Sequence, residues 1–223
     1  MKINILEFQS GAEVARGLTV IIDVFRAFST ACYLYQNGAK LIIPVLTTAE
    51  AFELRANHPT YLLAGERGGA MIPGFDYGNS PSQVQDCDFS DQTIILTTSN
   101  GTLGLCSAHQ STEILTGSFV NARAIANYIR KMQPAEVSLV AMGQHGKHAD
   151  EDYMLAEYIQ ALLQDQDFDL GRIREILKTG SGARFFDPAK THSPQADFDL
   201  CLNANYANFI MRFQDGQLIR VNP

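Results

Sequence analysis

The sequence predicts an α/β fold: a largely parallel sheet covered by helices, with a β-hairpin at the C-terminal end. Three observations predict it. Apolar runs of strand length alternate with helix-period segments along most of the 223 residues. Several of these runs are apolar or β-branched throughout, the pattern of strands buried on both faces. The tail departs from this alternation. Residues 209–213, then Gln214-Asp215-Gly216, then 218–221 read as two strands joined by an Asp-Gly turn.

The elements follow in order. Residues 19–22 (Thr-Val-Ile-Ile) form a strand, and residues 27–35 a helix that stops at Asn37-Gly38. Residues 41–45 are the next strand. Thr47 and Glu50 have capping-box spacing and open a helix to about Asn57. Residues 61–64, 93–96 and 113–115 are three further strands, the last leading through Asn121 into a helix over 122–132. Residues 137–141 make a sixth strand. Asp150-Glu151-Asp152 then opens a long amphipathic helix, its acids suited to the positive end of the helix dipole. No repeat or linker divides the chain, so one domain over 1–223 is expected, the alternative being a small lobe from about residue 171.

Composition excludes several classes. The net charge of −7 opposes a general nucleic-acid surface, which needs clustered Lys and Arg. There is no apolar run of membrane-spanning length and no secretory pattern at Met1–Glu7, so the expectation is a cytoplasmic protein. Cys32, Cys87, Cys106 and Cys201 lack metal or redox spacing and read as free thiols. The five histidines form no ligand pair, and His145 and His148 read as exposed loop residues near a strand end. Gly180-Ser181-Gly182 has no lysine at phosphate-loop spacing and reads as a helix terminus and loop.

Ligands of open parallel sheets gather beyond the carboxyl ends of the strands. Asp23 and Arg26 follow the first strand, Glu66, Arg67, Gly68 and Gly69 the third, and Ser99, Asn100, Gly101 and Thr102 the fourth. Gly143, with Asp152 soon behind, follows the sixth. Each piece has a structural alternative: Asp23 as a helix cap, Arg26 as an ion-pair partner, Asn100-Gly101 as a tight turn. Together, carboxylates beside arginines and glycines suit a hard cation plus a multiply charged anion.

Five blocks sharpen this reading: VIIDVFRAFST (20–30), AGERGG (64–69), IPGFDYGNSP (72–81), LTTSNGT (96–102) and GSFVNARAIA (117–126). With these blocks the chain resembles the 2-phosphosulfolactate phosphatases, Mg²⁺-dependent enzymes of coenzyme M biosynthesis. Phe28 and Ser99 depart from that pattern, each standing where the family usually carries Thr. The resemblance implies hydrolysis of a small phosphorylated anionic substrate. Asp23, Glu66 and Asp152 would hold Mg²⁺, and Arg26 and Arg67 would clamp acid oxygens. Gly68, Gly69, Asn79, Ser80, Ser99, Asn100, Gly101, Thr102 and Asn121 would surround the substrate. A Mg²⁺-activated water or Asp23 itself could be the nucleophile. A non-catalytic binder of an anionic metabolite, a phosphatase of this fold for another metabolite, and a homodimer all stay open.

Overall fold

The computed structural model describes residues 1–144 and 146–222. Its strands are β1 (Lys2–Glu7), β2 (Gly17–Ile22), β3 (Leu41–Pro44), β4 (Leu62–Arg67), β5 (Ala70–Met71), β6 (Thr93–Thr97), β7 (Ser111–Gly117), β8 (Glu136–Ala141), β9 (Ile210–Gln214) and β10 (Gln217–Val221). Its α-helices are α1 (Phe8–Val14), α2 (Ala27–Gln36), α3 (Thr48–Asn57), α4 (Pro81–Val84), α5 (Gly101–Ser107), α6 (Ala122–Met132), α7 (Asp150–Leu163), α8 (Leu170–Thr179) and α9 (Gln195–Cys201). The capping box at Thr47 and Glu50 forms as the sequence predicts. β1, β5, α1, α4, α5, α8 and α9 add to the elements expected from sequence.

The strands make one sheet in the order β1-β8-β2-β7-β9-β10-β3-β6-β4-β5. Two parallel halves, β1-β8-β2-β7 and β3-β6-β4, flank the C-terminal hairpin. The hairpin forms as expected, and it occupies the middle of the sheet. It pairs antiparallel with β7 on one side and β3 on the other. Three antiparallel pairings in succession reverse the strand direction, so the two parallel halves run oppositely. A common carboxyl edge for β2, β4 and β6, assumed from the sequence, therefore does not exist along the sheet. Sheet twist, about 20–25° per strand pair, accumulates over the five pairings from β2 to β6.

Alternation along the strands separates the two faces. Ile21 of β2, Ile94 and Leu96 of β6, Met211 of β9 and Leu218 of β10 share one core with α2. Every residue of α2 from Ala27 to Tyr35 is buried, as expected of a helix enclosed on all sides. Phe28, the departure from the resembled motif, is fully buried in this core. On the opposite face, Leu18, Val20 and Ile22 pack with α6, α7 and Leu177 of α8, while Leu63 and Ile95 pack with Ala51 of α3. Tyr35 ties α2 to the hairpin by donating its hydroxyl to Leu218 O, and Arg220 Nη1 returns a bond to Tyr35 O at 3.0 Å. The central helix thus carries Asp23 and Arg26, just before its first turn, to the place where both halves meet.

Candidate active site

A cleft of about 280 Å³ opens at that meeting point. Asp23, Phe25 and Arg26 reach it from the β2–α2 connection, and Glu66, Gly68 and Gly69 from the β4–β5 turn. Asn79, Ser99 and Asn100 come from the loops before α4 and α5, and Gly143, Gln144, Glu151 and Asp152 from the β8–α7 region. The tail supplies Arg184, Lys190, His192 and Ser193.

Four carboxylates gather here, all buried and, among the described residues, without a salt bridge. Asp152 is locked in place: its Oδ1 accepts from Val24 N–H at 2.8 Å and its Oδ2 from Gly143 N–H at 2.9 Å. Glu66 accepts from Gly69 N–H and Ser99 N–H, both at 2.7 Å, and so ties the β4–β5 turn to the loop before α5. Among the described residues, Asp23 accepts only a long bond, 3.3 Å, from Ala27 N–H through Oδ1. Among them, too, Glu151 Oε2 and Asn79 Oδ1 are buried without a partner. Burial pushes the Asp23 carboxyl up to about 7; Ala27 N–H and Arg184 oppose this, while Glu66 and Glu151 add to it. Burial likewise raises Glu151, and raises Asp152 well above the usual carboxylate range, with Glu151 and Asp23 reinforcing the latter.

Of the residues expected at the site, Asp23, Arg26, Glu66, Gly68, Gly69, Asn79, Ser99, Asn100 and Asp152 line the cleft. Arg26 does so as a buried ion-pair partner, with Nη1 on Asp197 Oδ2 at 2.7 Å and on His192 O at 2.9 Å, and Nη2 on Gly69 O at 2.8 Å. The Phe25–Arg26 peptide is cis. The Gly69 N–H, expected to face the ligand, is engaged by Glu66.

Arg67, Ser80, Gly101, Thr102 and Asn121 lie outside the lining. Arg67 is turned to Glu66 O, Leu46 O and Thr97 Oγ1 because it ends β4 on the exposed side of the strand. Ser80 donates to Asp197. Thr102 bonds Thr98 O, and Asn121 holds the β7–α6 turn through Ser118 N–H and Thr116 O. Gly101 supports the site from behind: a Cβ there would stand 2.9 Å from Ala27 Cβ and 3.1 Å from Asp23 Oδ2. Gly101→Ala is therefore expected to displace Asp23 and lower kcat/KM on the order of 10- to 100-fold. Steady-state kinetics beside a melting curve would check it; unchanged kinetics would remove Gly101 from the site.

Sequence reasoning missed the tail's contribution to the cleft. Arg184, Lys190 and His192 stand in the tail segment, where the motif blocks end and no strand precedes them. Asp197, 0% exposed, was missed for the same reason. It also accepts from Ser82 N–H at 2.9 Å, so one tail carboxylate anchors α2, α4 and α9 together. Glu151 was visible only as an acid in the first turn of α7. His145 lies outside the described residues, and His148 is paired with Glu7 on the surface.

The α/β fold thus brings clustered acids and the basic side chains of Arg184 and Lys190 into one cleft. The 2-phosphosulpholactate phosphatase family model matches residues 6–216. A probable 2-phosphosulfolactate phosphatase of Bacillus subtilis is 30% identical over 90% of this chain and 89% of its own length. Proteins of the same description are 36% identical in Deinococcus radiodurans (74% of this chain, 71% of the relative) and 39% in Carboxydothermus hydrogenoformans (74% and 69%). The chain belongs to the 2-phosphosulpholactate phosphatase family, whose members are phosphoric monoester hydrolases. No helix among the described residues is long and apolar enough to cross a membrane.

Proposed function

We propose that the chain hydrolyses the phosphate monoester of a small hydroxy acid, 2-phosphosulfolactate or a close relative, giving the hydroxy acid and phosphate with Mg²⁺ as cofactor. The observation that carries this reading is the cleft's lining, in which Asp23, Glu66, Glu151 and Asp152 stand together with Arg184 and Lys190. Such a cleft suits a cation together with a polyanion. A volume of about 280 Å³ fits a metabolite of a few carbons better than a polymer.

The residues present fit a magnesium ion. Among the described residues no three His, Cys, Asp or Glu side chains form a ready-made metal cage. Mg²⁺ does not need one, since it takes one or two carboxylates, several waters and substrate oxygens. Asp23 and Glu151 offer oxygens with no hydrogen bond, and Glu66 and Asp152 stand beside them on rigid backbone anchors. Bound there, the ion would neutralise phosphoryl charge and lower the pKa of a water molecule.

The chain's own contribution is positional and electrostatic. Asp152 fixes the β2–α2 and β8–α7 loops against each other through Val24 and Gly143, which holds Asp23 at the cleft floor. Glu66 performs the same service for the turn at Gly68-Gly69 and the loop at Ser99-Asn100. Asn79, buried and with Oδ1 unpaired among the described residues, would offer a polar group to the ligand from the cleft lining. Such preorganised groups stabilise developing charge without reorganising during the reaction.

Phosphate release from small phosphorylated acids, measured after EDTA dialysis and then on Mg²⁺ titration, tests the reading. Activity is expected only with the divalent cation. Full turnover in metal-free protein would sink the metal requirement, and binding without turnover would identify a metabolite-binding protein instead.

A further inference from the structure

We infer that Arg184 is the guanidinium that grips the phosphoryl group of the substrate. The inference rests on the proposed hydrolase activity and adds to it the residue that meets the reacting group.

Of the three arginines within the sequence motifs, Arg123 is exposed outside the cleft lining, and Arg26 and Arg67 are committed elsewhere. The charge of Arg26 is neutralised by Asp197 at 2.7 Å, and three of its N–H groups are bonded to protein acceptors. Arg67 lies outside the cleft, spent on Glu66 O, Leu46 O and Thr97 Oγ1. Arg184 lines the cleft and, among the described residues, forms no salt bridge. It lines the cleft together with Asp23 and Glu151, and its charge lowers the pKa of both.

The side chain is also preorganised. Nη1 donates to Gln144 Oε1 at 3.0 Å and Nη2 to Phe25 O at 2.9 Å. The guanidinium carbon lies 5.1 Å from the Phe185 ring centre and 5.9 Å from that of Phe25. A guanidinium has five N–H donors, so these two bonds leave three for a ligand. A half-buried fork held by rings and two acceptors loses little freedom on gripping a tetrahedral anion, and its planar geometry matches two phosphate oxygens. Lys190 and His192, exposed residues of the 187–192 segment, also line the cleft and are left for the rest of the substrate.

Arg184→Ala and Arg184→Lys test the assignment, with inorganic phosphate as the probe in the presence of Mg²⁺. Both variants are expected to raise the inhibition constant of phosphate at least about tenfold and to lower kcat/KM on the order of 10²- to 10³-fold. Lysine fails because it lacks the fork. Added guanidinium ion should restore part of the activity of the alanine variant, a rescue that a purely structural role would not show. If the alanine variant does not fold, the lysine variant, which keeps the charge and stem, decides the matter. An unchanged phosphate constant in a folded variant overturns the assignment. Wild-type protein that binds phosphate by calorimetry yet hydrolyses no phosphomonoester would instead overturn the hydrolase activity, and the same titration of the variants would still decide on Arg184.

Discussion

Asp23→Asn is expected to lower kcat/KM by about 10³-fold or more while making the metal-free protein more stable at pH 8. Both effects come from one buried carboxylate. Asp23 is 7% exposed, accepts one long hydrogen bond among the described residues, and shares the cleft with Glu66 and Glu151. In the unfolded chain its pKa is about 3.9; in the folded chain burial, reinforced by those two acids, raises it to about 7. A folded pKa above the unfolded one means that the stability contribution is complete below about pH 4 and is lost as pH rises through about 7. Removing the charge should therefore raise the unfolding midpoint at pH 8 by roughly 2–8 °C, a gain that shrinks as the pH falls toward 4. Under the proposed magnesium role, activity falls because an amide is a poor cation ligand. Partial recovery at high Mg²⁺ would mark Asp23 as a ligand, and no recovery at any concentration would mark it as the nucleophile. Melting curves at pH 4, 6 and 8 with EDTA are the measurement. A variant that is less stable at pH 8 would refute the account of the cleft as a set of uncompensated acids.

The second large effect belongs to a residue far from the motifs. Asp197→Ala should cost about 3–5 kcal/mol of stability, because it leaves the Arg26 charge buried without its partner. It also strands the Ser80 hydroxyl and the Ser82 N–H, both bonded to the same carboxylate. At 2–4 °C per kcal/mol for a chain of this size, the unfolding midpoint should fall by about 6–20 °C. The cleft should loosen too, since Arg26 holds the carbonyls of both Gly69 and His192. Chemical denaturation of the variant checks the energy, and kcat/KM of its folded fraction checks the coupling. A change in stability below about 1 kcal/mol would show that Arg26 finds another partner.

Much was legible in the sequence because it is local. Strand-length runs, the Thr47–Glu50 capping box, the Asp215-Gly216 turn and the acidic start of α7 each depend on residues within one or two turns of chain. The motif blocks marked Asp23, Glu66, Asn79 and Asn100 for the same reason, each standing just beyond an apolar run or in a loop with its own turn chemistry.

What only the tertiary structure decided is how those loops combine. No local pattern states that the C-terminal hairpin inserts between β7 and β3, yet that insertion reverses one half of the sheet against the other and makes the cleft a junction between them. Nor could spacing alone tell Arg26 and Arg67 from Arg184. A guanidinium looks the same in sequence whether a carboxylate more than a hundred residues away neutralises it or it faces open space. Asp197, 171 residues from Arg26, settles that difference. Local propensity and patterning determined the elements and the motif loops of this protein, while pairing over long sequence distances determined which charges remain available to a ligand.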